Sequence, residues 1–554
     1  MVDSGVTRGR GSVAWSRSRA EARIRKFREA APEVLVERYE DEYLPRLVRM
    51  REAALAAGRG APDNPPLFDL PNGAAVLVDT VQVYVRLLNY DDYRLERGRE
   101  TAASHANGLA VLHTIYAAAD RVVEGAGAQR VDYHGARLHA VVVEPRGRAS
   151  SGERVAAALE LAEGMVELAR LGGREFLGVD APELRFRVGI DLGPCVAINS
   201  GRSDEREPLF VGPAANHAAK LAMGDVPGIY FSDRVRGELG LRRVTTLADE
   251  RASAASGVEL AVVREAAGVR ARVTASARLD EWVGDVGEGV AVPLQPSDFS
   301  FHQHTPPLRS IDYAQLMPSR SIRMPVAAIF ADLDGYTAYV DRCMATGRLG
   351  EAVRLLHVLR SELAAVVQSD FGGRKVRFIG DCVLGILAEG TAQEIDVTAT
   401  VRSAALCSGA LRSSFLLAGG IMPEARALGL AIGFETGWTP VSRIGIRGDR
   451  SVRVASSLAI RESEACQRAC GGRQTRIGRE AYAAADLATR SLFGAGRTAQ
   501  DLDYDDVATE LEPRRVSSAV AGPLAGRGAP AILTGTAAAA AVAAASPTRA
   551  YSKG

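Results

Sequence analysis

The sequence predicts an α+β protein, an α/β sandwich in which one domain occurs twice, and three observations carry that prediction. A strand, a turn and a helix are read from LVDTVQVYVRLL, starting at Leu77, and again from FADLDGYTAYVDRC, starting at Phe330; each strand ends in an aspartate. An amphipathic helix closed by glycine follows each time, ASHANGLAVLHTIYAAADRVVEGAG and GEAVRLLHVLRSELAAVVQSDFGG. Then GAQRVDYHGARLHAVVVE (127–144) lines up with GGRKVRFIGDCVLGILAE (372–389), both patterned as a β-hairpin with its turn at the glycine. A second helix follows in each half, then RFRVGIDLGP (185–194) and LAIGFETGW (430–438), at an offset of 245 residues at the hairpins and 244 at the later glycines. One duplicated domain is the economical explanation.

Composition narrows the class of function. The 554 residues are 47% hydrophobic and 24% charged, enough to bury a large core without disulfides. Lys and Arg total 68 against 67 Asp and Glu. A net charge of +1 argues against a dedicated nucleic-acid or membrane-surface binder, but leaves room for a local site for a small anion. Only Lys26, Lys220, Lys375 and Lys553 stand among the arginines, so a lysine inside a motif is notable. The scattered cysteines, with Cys466 and Cys470 the only close pair, read as free thiols of a reducing cytosol. No 18-residue apolar run occurs, and the first residues lack a signal-peptide core, so a cytoplasmic protein is expected.

In order along the chain, residues 1–70 read as a helical extension with breaks at Pro32 and Pro45. The first domain copy spans 71–275, a linker 276–320, and the second copy 321–500. Residues 501–554 form a low-complexity tail, Ala-, Gly-, Ser- and Pro-rich from Pro513 onward and expected to lack fixed structure.

The chemistry concentrates in the second copy. Asp332 ends its first strand and Asp381 occupies the hairpin turn, and adjacent central strands can bring the two carboxylates together. Hard oxygens converging at a strand end suit Mg²⁺ or Mn²⁺, and such ions suit phosphates. The turn through Gly335 and Thr337 into a helix offers backbone N–H groups to a triphosphate. Taken alone, two aspartates are more often solvated strand ends.

FADLDGYT followed by FIGDCVLGI resembles the two metal-binding motifs of the class III nucleotide cyclases, F-x-D-I-x-G-F-T and I-G-D, and GPAANHAAKL (212–221) resembles their G-x-x-x-N-x-x-x-[RK]-L pattern. The resemblance covers roughly 73–275 and 322–500. It implies two ferredoxin-like, palm-type cyclase domains packed head to tail, with two divalent ions, Mn²⁺ or Mg²⁺, at Asp332, Leu333 and Asp381. It implies Asn216 orienting the ribose and Lys220 neutralising the triphosphate in the transition state. Pairing the copies by motif sets Asp79 against Asp332, Ala136 against Asp381, and Arg453 and Ser457 against Asn216 and Lys220. On that reading one complete site forms across the copies, and its counterpart is dead or regulatory.

The family's base reader stands three residues before the hairpin glycine. Here it is Asp132 or Arg377, neither the adenylate lysine nor the guanylate glutamate. An arginine matches the O2 and O4 acceptors of uracil, and an aspartate its N3–H; a strand-end salt bridge is the equal alternative for Arg377. Were catalytic units to pair between two copies of the chain, a homodimer, Phe330 and Arg377 would meet the base and Arg453 the phosphates. These departures, with LLNYDDYRLERGRETAASHANGLAVLH and the tandem layout, look similar to the pyrimidine cyclases of bacterial Pycsar antiphage systems. That resemblance implies cUMP or cCMP synthesis, UTP the favoured nucleoside triphosphate, and a separate effector protein responding to the product. Adenylate or guanylate cyclisation and a catalytically dead nucleotide sensor are the alternatives. His134 and His139 read as ordinary strand histidines, His302 and His304 as exposed linker residues, and Trp438 as packing for the dead half-site.

Overall fold

The computed structural model describes residues 15–31, 33–59, 67, 70–71, 73–200, 207–267, 271–288, 293–445 and 451–512. Helix α1 (Arg17–Ala30) and strand β1 (Leu35–Arg38) precede α2 (Leu44–Ala56). Pro45 does not break this segment as expected but stands in the first turn of α2, where a missing N–H costs nothing and the fixed φ suits the helix. Pro32 lies outside the described residues.

The first half runs through β2 (Ala74–Leu87), α3 (Ala102–Gly125), β3 (Gln129–His134), β4 (Arg137–Val142), α4 (Ser151–Leu177) and β5 (Phe186–Ser200). It then adds β6 (Glu207–Val211), α5 (Pro213–Leu221) and β7 (Gly228–Phe231). Its sheet has the order β3-β4-β2-β5-β6, with β1 parallel to β2 and β7 parallel to β5. Helix α6 (Ala271–Gly287) runs across the boundary drawn at 275, because Trp282 is buried against Phe176 of α4, with ring centroids 4.6 Å apart.

The second half repeats the pattern after β8 (Phe301–His302): β9 (Ser321–Asp334), α7 (Tyr336–Ala345), α8 (Leu349–Ala365), the hairpin β10 (Arg374–Ile379) and β11 (Cys382–Leu387), and α9 (Val397–Ile421). There follow β12 (Gly429–Ile444), β13 (Val452–Ala455), α10 (Leu458–Arg468), β14 (Gln474–Ile477), β15 (Thr498–Gln500) and α11 (Tyr504–Leu511). The order here is β10-β11-β9-β12-β14-β15. Val507 and Leu511 of α11 are buried in this half's core, so the chain past 501 begins as core; the Ala-rich tail lies outside the described residues. Among the described residues, only α9 is long and apolar enough to cross a membrane, and 67% of its apolar window is buried inside the protein.

The long central strands tie the halves together. Ala75, Val196 and Ile198 of β2 and β5 enter the second core, while Ile444, Val452 and Val454 of β12 and β13 enter the first. Each half completes the other's apolar interior, the physical basis of the head-to-tail arrangement.

The strand registers also fix which residues correspond. In β2–β5, Tyr84 faces Gly189 and Arg86 faces Arg187; in β9–β12, Phe330 faces Gly433 and Asp332 faces Ala431. Gly189 and Gly433 are themselves equivalent: Gly189 abuts Ala218 and Ala222 at α5, and Gly433 abuts Ser463 and Gln467 of α10. Arg86, not Asp79, is therefore the counterpart of Asp332, and Arg461 and Ala465, not Arg453 and Ser457, are the counterparts of Asn216 and Lys220. Asp79 misleads because β2 runs on to Leu87, leaving Asp79 in mid-strand opposite Pro194. Arg453 pairs with Arg443 within β13–β12, and the Ser457 hydroxyl caps α10 by accepting the Ile460 N–H at 3.2 Å.

Candidate active site

A cleft of about 950 Å³ opens between the halves, and both sides contribute walls. From the second half come Phe330, Asp332, Leu333, Gly335, Thr337 and Asp381; from the first come Asp132, Asn216 and Lys220. Each is placed by a short-range rule. Asp332 lies near the end of β9, its side chain on the cleft face, while Leu333 turns into the core and can offer the cleft only its main-chain carbonyl. Asp381 occupies the two-residue turn between β10 and β11, made with Gly380 at φ 60°. Gly335 enters α7 at φ 85°, a conformation that disfavours any side chain, and the first-turn N–H groups of α7 lie at the cleft wall. Opposite, Pro213 starts α5, and Asn216 and Lys220, one turn apart on the same helix face, point into the cleft.

The electrostatics are those of an acid-rich pocket. Burial, and then the nearby Asp334 carboxylate, push Asp332 up to about 6, against the Arg468 guanidinium and a hydrogen bond donated by Gln467 Nε2 at 3.3 Å. Burial, and then Asp332, hold the Asp381 carboxyl well above the usual range, with Arg360 tempering the effect. Asp334 crowds Asp332 and Asp332 in turn crowds Asp381, so ionising these carboxyls together is costly, and a divalent cation would offset that cost. Among the described residues no three His, Cys, Asp or Glu side chains converge as a metal-binding group; oxygens of Asp332, Asp381 and the Leu333 main chain line the cleft here.

Asp132 and Arg377, equivalent positions of the two hairpins, meet across the pseudo-twofold axis with Arg377 Nη1 2.9 Å from Asp132 Oδ1. Asp132 lines the cleft and Arg377 does not; its side chain is 8% exposed and spent on holding Asp132. His134 stands edge-on to Phe330 at 6.0 Å between centroids, with Nε2 3.6 Å from Glu464. His139 Nε2 donates to the Gln82 amide oxygen at 2.7 Å, and its ring stacks on Tyr84. Trp438 departs from expectation: it is 45% exposed and lies under the Arg323 guanidinium rather than packing a half-site.

Several cleft residues escaped the sequence reading. Burial alone would raise the Glu464 carboxyl of α10, but Arg137 of the opposite half, whose Nη1 donates to it at 2.8 Å, and His134 beside it hold it well below the usual range; Arg468 donates to it as well. Arg360 donates to the Gly380 carbonyl and covers Phe378. A faint signal existed for Glu464 and Gln467, polar residues one turn apart that α10 buries; none existed for Arg360, which comes from mid-helix.

Comparison with known proteins places this geometry. No protein-family model matches the chain. A uridylate cyclase of a Rhizobium species is 44% identical over 512 residues, 90% of this chain and 96% of the relative. A uridylate cyclase of Pseudomonas aeruginosa is 39% identical over 456 residues, covering 80% of this chain and 85% of that one. The chain belongs to the uridylate cyclase family. Its fold is that of the class III cyclases: a crystal structure of a class III adenylyl cyclase-like ATP-binding protein from Pseudomonas aeruginosa superposes with a TM-score of 0.80 at 35% identity, over 90% of this chain and all of the other.

Proposed function

We propose that the chain converts UTP to 3′,5′-cyclic UMP and pyrophosphate in a single composite site. The observation that carries the reading is that one cleft unites Asp332 and Asp381 of the second half with Asn216 and Lys220 of the first. The uridylate cyclase relatives support UTP.

Asp332, Leu333 and Asp381 would hold two divalent ions, Mn²⁺ or Mg²⁺, whose chemistry is to acidify the ribose 3′-hydroxyl and neutralise the phosphates. Asn216 orients the ribose, so that the 3′-oxygen stands in line with the α-phosphorus. The 3′-O–Pα bond forms as the Pα–O bond to pyrophosphate breaks. Lys220 and the first-turn N–H groups at Gly335 and Thr337 stabilise the charge gathering on the departing phosphates. Phe330 supplies an apolar wall. The Asp132 carboxylate, fixed by Arg377, is an acceptor for uracil N3–H, a donor that cytosine lacks.

The product cUMP then acts on a separate cyclic-nucleotide effector protein in a Pycsar-type antiphage response in the cytoplasm. This part of the proposal rests on the family resemblance, as does pairing into a homodimer. ATP is the second reading, favoured by the name of the structural neighbour. Purified protein is incubated with ATP, CTP, GTP and UTP separately, with Mn²⁺, and the products are separated by chromatography beside an Asp381→Ala control. Cyclic UMP alone, lost in the control, is expected. Cyclic AMP would keep the mechanism and sink the substrate, and no product from any nucleotide would favour a non-catalytic sensor.

A further inference from the structure

The pseudo-twofold that relates the halves gives the catalytic cleft an image, and that image is an open cavity rather than a filled one. Its volume is about 520 Å³, and its wall includes Tyr84, Arg86, Arg137, Arg461, Ala465 and Arg468. By strand and helix register, Tyr84 and Arg86 stand where Phe330 and Asp332 stand in the cleft, and Arg461 and Ala465 where Asn216 and Lys220 stand. The hairpin turn has Ala136 in the place of Asp381. Both metal-side carboxylates are therefore gone, and one of them has become a guanidinium.

The charge on this wall is inverted. Four arginines face two glutamates, Glu462 and Glu464. Glu464 is shared by Arg137 and Arg468, and Arg461 is turned toward Asp91 and Glu462 at the rim. Among the described residues, Arg86 donates only one long hydrogen bond on this wall, 3.4 Å to the Gly224 carbonyl. Burial, and then the Arg137 guanidinium beside it, hold Arg86 below the usual arginine range. A cavity that keeps phosphate-sized room, has lost the ligands for a divalent cation and has gained guanidinium forks is built for an anion that arrives without a metal.

We propose that this second cavity binds a polyphosphate anion independently of divalent cations, with Arg86, Arg137, Arg461 and Arg468 as its ligands. Free pyrophosphate and the triphosphate of a nucleotide share that chemistry. Arg137, Glu464 and Arg468 also line the catalytic cleft, so occupancy on one side reaches the wall of the other.

The full chain is titrated calorimetrically in excess EDTA with pyrophosphate and, separately, with UTP. One metal-independent site is expected, weakened at least about tenfold by Arg86→Ala with Arg461→Ala, and unchanged by Lys220→Ala. Equal binding of the two probes assigns the site to the polyphosphate itself, and markedly tighter UTP binding assigns it to the nucleotide; both outcomes support the proposal. Absence of binding in EDTA, or binding lost with Lys220→Ala and kept in the arginine variant, overturns it. Should the double variant melt earlier than wild type, Arg461→Gln alone, on an exposed side chain, decides: weakened binding supports the site and unchanged binding refutes it. The readout needs no turnover, so it stands whatever the cyclase assay returns.

Discussion

The two halves of this chain share a sheet order at their centre, yet they place different side chains at equivalent positions. The second half retains Asp332 and Asp381 and carries Arg461 and Ala465 on its helix; the first retains Asn216 and Lys220 and carries Arg86 and Ala136 at its strand ends. Both halves keep the apolar residues that fill each other's cores. The two halves thus agree in the residues that pack them and differ in the residues that face the two cavities. The same strand and helix framework therefore carries one acid-rich cleft and one arginine-rich cavity.

The largest effect that tests this asymmetry is expected at Asp381. Asp381→Asn should lower kcat by about 10³-fold or more with KM little changed, as for a group acting on charge that develops in the transition state. Arg86→Asp with Ala136→Asp, the reciprocal restoration in the first half, should produce no second active site, because Arg461 and Ala465 face it; product formation per chain by chromatography checks both. Asn216→Ala and Lys220→Ala come next, each costing about 10²-fold in kcat. Arg461→Ala, at the counterpart of Asn216, should leave kcat within about twofold, and equal losses at the two positions would break the comparison.

How far the sequence reveals this follows from what each motif constrains. The hairpins are legible because a glycine turn between alternating apolar residues fixes register over a few positions, and Gly135 and Gly380 do correspond. The carboxylate side of the cleft is legible for the same reason: Asp332 and Asp381 are defined by a strand end and a turn. The degenerate half was not. Asp79 follows an apolar run as Asp332 does, and nothing local shows that β2 continues to Leu87; only pairing with β4 and β5 sets that length. The same one-dimensional matching chose Arg453 and Ser457, which lie before α10 rather than on it. The sequence allows a salt bridge at Arg377 and the structure has one, but its partner Asp132, like the Arg137–Glu464 bridge, is joined across residues far apart in sequence, so no spacing could have named the pair.

That bridge supplies the next prediction. Glu464 is 10% exposed and holds Arg137 across the boundary between halves, with Arg468 on its other side. Glu464→Ala leaves two guanidinium groups facing each other, and should cost about 2 kcal/mol of stability, read as a lower thermal midpoint. Arg461→Ala, whose side chain is half exposed at the rim, should cost less than about 0.5 kcal/mol. Comparable losses would mean that the bridge adds nothing beyond surface charge.

The smallest expected effect is a pH slope that belongs to the cleft and not to its image. With its carboxyl pushed up to about 6 from an ordinary 3.8, Asp332 holds its proton in the folded protein over a range where the unfolded chain has released it. The folded state therefore binds more protons, and stability falls as pH rises through roughly 4 to 6. In EDTA the thermal midpoint should drop by about 2 °C across that window. Mn²⁺ should reverse the sign, because ionised carboxylates bind the cation that protonated ones cannot. Asp332→Asn with Asp381→Asn should flatten both curves. Arg86→Gln should leave both slopes intact, since the raised carboxyls stand on the other side; a slope that moved with Arg86 would place the titration in the second cavity.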